Sequence, residues 1–177
     1  MFYIKNGDIP RKRHTQHRNK DGSLFPEEHI SREGFSSIYS NIYHHKMPME
    51  ISEIGKFHKI QSLKAEGTHK NRHYFTANLG INGNAVDGRK LLLFNDDILI
   101  YKLHINSKMD FLYRNSHFDE MLYIQSGNAT FLSNFGNISL ISGDYLVIPR
   151  GVIWKIDPDD DLRCLLVESV GPIETPN

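Results

Sequence analysis

Histidine is the residue type in this chain best able to do chemistry, with ten copies among 177 residues, and imidazole both binds metals and moves protons near neutral pH. Three groupings have suggestive spacing: His14 with His17, the neighbours His44 and His45, and His69 with His73. Side chains four residues apart meet only on a helix, and the stretch from Thr68 to Phe75 has no amphipathic helical pattern. Adjacent residues of a strand point to opposite faces, so His44 and His45 would not share one ion. Hydrogen-bonded surface or packing roles suffice for all of them. His117, close in sequence to Glu120, reads as a loop histidine beside a structural carboxylate; a metal pair is the sharper alternative. The single cysteine, Cys164, lies in the apolar run Leu162 to Val167. It cannot form an internal disulfide and reads as a packed strand residue rather than a reactive thiol, which suits a reducing, cytoplasmic setting.

The charged residues exclude more than they suggest. Formal net charge is zero, so no global field draws the chain to nucleic acid or to an anionic membrane. The cluster Arg11-Lys12-Arg13-His14 with Arg18 and Lys20 could contact phosphates, but a strap against a neighbouring acidic surface, or a subunit contact, is the simpler account. Asp159-Asp160-Asp161 after Pro158 reads as a solvated turn, because the alternating oxygen ligands and distant glutamate of a calcium loop are missing. No apolar run approaches the roughly 20 residues of a membrane span, and the opening residues lack the pattern of a signal peptide. A soluble chain without nucleic-acid or membrane partners is the expectation.

The elements that must carry these residues fall into two halves of a single domain, residues 1–177. From residue 1 to about 88 the chain is polar and rich in turn signals such as Asp21-Gly22-Ser23 and Asn82-Gly83-Asn84. It predicts short strands that wrap the rest, with Ile38–Tyr43 and His73–Thr76 as candidates. From residue 89 to about 170, short apolar runs recur: Lys90–Phe94, Ile98–Ile105, Met121–Ile124, Thr130–Leu132, Ile138–Ile141, Tyr145–Ile148, Val152–Ile156 and Leu162–Val167. Turn residues separate them, and this spacing predicts an antiparallel sandwich or barrel. Helices are excluded by the frequency of Gly and Pro and by the lack of a sustained 3.6-residue period.

Within this second half, Glu120 is followed after six residues by Gly127, and later by Gly143-Asp144-Tyr145-Leu146-Val147-Ile148-Pro149-Arg150-Gly151. These stretches resemble the two cupin motifs, Glu-x6-Gly and Gly-x5-Pro-x-Gly. The resemblance implies a cupin-like, jelly-roll β-barrel of the RmlC-like type, whose glycines serve turns needing positive φ and whose proline precedes a new strand. The motif's paired histidines would fall on Tyr113 and Asn115, or on Arg114 and Ser116, and its third histidine on Trp154. Only the carboxylate survives, whereas a non-haem iron site takes two histidines and a carboxylate with open positions. Tyr113, Tyr123 and Trp154 could instead line an aromatic barrel mouth for a small ligand.

A closer match runs along nearly the whole chain. Gly7-Asp8-Ile9-Pro10-Arg11-Lys12-Arg13-His14-Thr15-Gln16, Asp21-Gly22-Ser23-Leu24-Phe25, Asp87-Gly88-Arg89-Lys90-Leu91-Leu92, Tyr113-Arg114-Asn115 and Glu168-Ser169-Val170-Gly171-Pro172-Ile173-Glu174 are similar, in order, to the amino-terminal part of homogentisate 1,2-dioxygenases. The resemblance implies an enzyme of tyrosine and phenylalanine breakdown that opens homogentisate to maleylacetoacetate at a mononuclear Fe(II). It also implies that the iron ligands, His, Glu and His, belong to a carboxy-terminal cupin-like half. The expectation for this chain is therefore no catalytic, cofactor or metal-ligand residue of its own and no iron held alone. Its partners would be further copies of itself or a carboxy-terminal half, and self-association through an exposed apolar face follows. Two other readings stand beside it: a stand-alone cupin binding a small molecule or a protein, and an enzyme with a new metal site built from His117, Glu120 and an amino-terminal histidine.

Overall fold

The structure is a computed structural model that describes residue 11 and residues 16–56, 70–71 and 73–174. Every strand pairing is antiparallel. A hairpin of β1 (Glu27–Glu33) and β2 (Ser36–Tyr43) forms a two-stranded sheet of its own beside two larger sheets. The five-stranded sheet has the order β3 (Arg89–Phe94), β4 (Ile98–Ile105), β11 (Leu162–Ser169), β6 (Asp119–Ser126), β9 (Tyr145–Ile148). The four-stranded sheet has the order β5 (Tyr113–Arg114), β10 (Ile153–Pro158), β7 (Ala129–Ser133), β8 (Gly136–Leu140). Apart from the β3–β4 and β7–β8 hairpins, successive strands cross between the sheets, which gives a cupin-like jelly roll. It is a two-sheet sandwich rather than a single hydrogen-bonded cylinder.

The predicted apolar runs become β3, β4 and β6 to β11, because each offers alternate side chains to one buried face. On β11, Leu162, Cys164 and Leu166 are fully buried, and on β6 Leu122 and Ile124 match them. Phe131, Leu140, Trp154 and Ile156 close the core from the opposite sheet. The Cys164 thiol is pushed up to about 12 by burial, so it remains a protonated packing group.

Among the described residues of the first half, one candidate strand is absent. His73–Thr76 is not a strand; the chain there runs into a 3-10 turn at Thr76–Asn78. Tyr74 and Phe75 are both exposed, so the segment has no buried face to reward an extended, paired conformation. The β1–β2 hairpin does lie against the sandwich, fastened by Glu28. Its carboxylate accepts from Arg114 Nη2 on β5 and contacts His44 Nε2, each at 2.8 Å. The stretch before β3 enters the sandwich outright: Gly83 bridges Ile105, and Ala85 is fully buried.

Candidate functional site

Three of the buried polar residues, Asn115, Glu120 and Glu168, gather at one place between the sheets, while Asp119, also fully buried, pairs with Arg150. Glu120 of β6 and Glu168 of β11 occupy inward positions on neighbouring strands and are paired in register; Glu120 is fully buried and Glu168 is nearly so. Arg89, at the start of β3, reaches between them, and its Nη1 lies 2.8 Å from Oε1 of each carboxylate. The guanidinium also donates through Nε to the carbonyl of Ala85 at 2.9 Å and sits 5.3 Å from the centre of the Tyr113 ring. Trp154 Nε1 donates to Glu120 Oε2 at 3.2 Å, and Asn115 Nδ2 donates to Glu168 Oε1 at 3.1 Å. The rings of Tyr113 and Trp154 meet edge to face at 5.3 Å.

Three of these residues are the ones on which the cupin ligand positions fall. Of the two registers left open by sequence, the structure turns Tyr113 and Asn115 toward the carboxylates. Arg114 pairs with Glu28 instead, and Ser116 is exposed. A cationic side chain thus stands beside the one surviving ligand-type carboxylate. The residues do not fit an iron ion: tyrosine, asparagine and tryptophan occupy the histidine positions, and the carboxylate is already engaged by Arg89 and Trp154. Among the described residues no group of three His, Cys, Asp or Glu is placed to hold a metal.

Glu168 shares a low-dielectric interior with a second carboxylate and a single guanidinium, which favours its protonation. Burial raises the Glu168 carboxyl above the ordinary range; Arg89 opposes this, and nearby Glu120 reinforces it. For Arg89, burial works against the charge but Glu120 outweighs it, so the guanidinium is held more firmly protonated than usual. Tyr101 and Tyr113, beside the cluster, are both raised, chiefly by burial. A carboxyl whose folded-state pKa is raised contributes stability that is complete below its unfolded value and is lost as pH rises through the folded value. Stability of the wild type should therefore decline as pH rises above the usual glutamate range, and Glu168→Gln should flatten that slope. Urea midpoints across pH measure it, and an unchanged slope in the variant would refute the assignment.

The other candidates go to separate places. His117 is exposed while Glu120 is buried, so they form no pair. His44 pairs with Glu28, while the His45 ring packs edge-on against Phe25 at 5.3 Å. His17 packs on Tyr43 and His73 on Phe75; His14 and His69 lie outside the described residues. Within the basic cluster, Lys12 to Thr15 likewise lie outside them, and Arg18 donates to Gln16 and to the carbonyl of Gly22. In the acidic turn, Asp161 contacts His104 Nε2 at 3.1 Å. The aromatic trio does not converge. Tyr123 faces the other side of its sheet, against Tyr145 at 4.7 Å, while Trp154 is in the core.

Glu168 and Arg89 were not singled out by sequence reasoning. Glu168 could have been found, since it follows the inward parity of Leu162, Cys164 and Leu166. A charged residue at a core-facing position calls for a partner.

Known proteins resemble this chain in sequence and, more distantly, in fold. The sequence profile described as homogentisate 1,2-dioxygenase N-terminal matches residues 60–175, more than half of the chain. A Saccharolobus solfataricus protein named "Putative dioxygenase" is 34% identical over 171 residues, covering 95% of this chain but 44% of that protein. This chain thus spans less than half the length of that relative. Among solved structures, a cupin protein of Bacteroides fragilis is similar with a TM-score of 0.46 and 20% identity, over 62% of this chain and 93% of that one. A cupin-2 domain protein of Shewanella frigidimarina gives 0.42 and 18%, over 46% and 78%. No helix among the described residues is long and apolar enough to cross a membrane. With this profile match over a cupin-like jelly roll, the chain belongs to the homogentisate 1,2-dioxygenase N-terminal family, a dioxygenase-family cupin domain.

Proposed function

We propose that this chain is the iron-free amino-terminal part of a ring-opening dioxygenase that converts homogentisate to maleylacetoacetate in tyrosine and phenylalanine breakdown. In this reading, Fe(II) and its ligands reside in a carboxy-terminal cupin-like half. The chain alone is inactive, and its role is to support that half as a folded partner in the cytoplasm. The observation that carries the reading is Arg89: its guanidinium sits 2.8 Å from Glu120, where a metal-binding cupin would need that carboxylate free. A buried cation already occupies the place beside that carboxylate, and adding a divalent ion next to it would place like charges together in a medium that screens them poorly.

The test is homogentisate-dependent oxygen uptake by the purified chain, reconstituted anaerobically with Fe(II) and compared with Fe(II) alone. Uptake equal to the metal-only control is expected, together with no retention of iron after desalting. Iron kept at about one atom per chain, or uptake above the control, would overturn the proposal and turn attention to the histidines outside the sandwich.

A further inference from the structure

The inner face of the five-stranded sheet is consumed by the core, but the outer face carries an apolar row across its whole width. Register places Leu93 beside Ile100, Ile100 beside Val167, Val167 beside Met121, and Met121 beside Val147. One apolar side chain thus comes from each of the five strands, with Val167 on the middle strand at the centre. Leu93 is 55% exposed and Val147 is 40% exposed; Ile100, Val167 and Met121 are half-buried. A continuous apolar row of this kind on an outer sheet face is a feature of interaction sites rather than of solvated strands.

The charges flanking the row differ in sign at its two ends. In one direction, two residues along β4 and, past a bulge, three along β3, stand Lys102 and Lys90, paired with one another in register, and Arg163 follows on β11 beside His104. In the other direction the β3–β4 turn carries Asp96 and Asp97, both exposed. The ends also differ in shape. Residues Thr76 to Asn82 lie against Lys102, His104 and Arg163 at the basic end, whereas the backbone of Ile173 closes on Asp119 at the other.

We propose that this outer face is an interface with a second copy of the chain, formed about a two-fold axis that runs along the apolar row, across the strands. Such an axis lays each row residue against its own counterpart, Val167 on Val167 at the centre. It places the lysines of one copy over the Asp96-Asp97 turn of the other, since both lie at the β3–β4 side of the sheet. It also sets the covered basic end of one copy over the more open end of its mate. A two-fold axis along the strands would do the opposite, stacking lysine end on lysine end and strap on strap. Charge complementarity therefore selects both the occupant and the orientation, and a self-complementary patch is what an isologous contact requires. Four strand spacings of about 4.8 Å and a strand of about 26 Å give roughly 500 Å² per copy. The total of about 1,000 Å² is at the lower limit for a specific interface, so association should depend on concentration and weaken with salt. This interface does not depend on the reading of the chemistry, and failure of either leaves the other standing.

The full 177-residue chain is examined by sedimentation from low to high micromolar concentration, with three variants. The wild type should pass from monomer to dimer, and Val167→Lys should remain monomeric at every concentration. Asp97→Lys, at an exposed turn, should weaken association at least about tenfold, as one like-charge contact would. Val167→Cys should be joined into a covalent dimer by a bis-maleimide spanning about 10 Å, the separation of two packed sheets, which wild type should not be, since Cys164 is buried. A wild type that stays monomeric would overturn the proposal. So would a Val167→Cys variant that dimerises without cross-linking, or an Asp97→Lys variant that associates as tightly as wild type. Should Val167→Lys misfold, the other two variants still decide.

Discussion

Replacing Arg89 by leucine is expected to lower stability by about 3–5 kcal/mol, because it leaves two buried carboxylates facing each other without their cation. Arg89 Nη1 is 2.8 Å from both Glu120 and Glu168, and a leucine can neither donate to them nor neutralise them. At roughly 2–4 °C per kcal/mol for a domain of this size, the melting temperature should fall by roughly 10 °C. The loss should also be larger at alkaline than at acid pH, since protonation of Glu168, whose carboxyl is already raised by burial, relieves the repulsion when the guanidinium is gone. Glu168→Gln in the Arg89→Leu background should recover part of it. Urea denaturation at two pH values checks all three statements. A loss independent of pH, with no recovery in the double variant, would show that Arg89 matters for packing alone.

The second large effect falls on the glycine that closes the first cupin-like motif. Gly127 joins β6 to β7 with φ of +88°, and a Cβ placed there would lie 2.3 Å from the carbonyl oxygen of Asp161. That obstacle is backbone, belonging to the turn into β11, so it cannot swing aside as a side chain would. Gly127→Ala should therefore cost about 3 kcal/mol or more, combining left-handed strain with displacement of the turn. Gly143 supplies the control. It also has a positive φ, +97°, but a Cβ there meets nothing within 4 Å, so Gly143→Ala should cost only about 1–2 kcal/mol, the conformational part. Chemical denaturation of both variants separates strain from collision, and equal losses would mean that the close approach to Asp161 carries no energy.

Much of the sandwich was legible because its strands announce themselves locally. Ile98–Ile105 and Tyr145–Ile148 match β4 and β9 to the residue, since period-two burial and flanking Asn-Asp-Asp or Gly-Asp turns leave little alternative. His73–Thr76 failed because aromatic residues favour strands only when a neighbour buries them, and composition does not reveal whether one is present. The site was half legible. Glu120 stood out through its motif, and the absence of histidines around it could be read directly. Arg89 and Glu168 could not be joined to it, because they come from β3 and β11, and the meeting depends on a strand order that the sequence does not display. The misreading of Tyr123 had a simpler remedy: counting from Glu120 in steps of two reaches Leu122 and Ile124, so Tyr123 belongs to the other face.

The position of β11 bears on how the chain emerges during synthesis. This final strand is flanked on both sides, by β4 and by β6, so the middle of the larger sheet is filled last. Until residue 169 clears the ribosome, β4 and β6 each present an unsatisfied edge, and the β3–β4 hairpin has nothing to join it to β6 and β9. The nascent chain therefore holds the β3–β4 hairpin and the β6–β9 pair as separate fragments with open edges, the kind of intermediate that holdase chaperones recognise. Strand β11, Leu162–Ser169, acts as the keystone that converts those fragments into one sheet in a single late step.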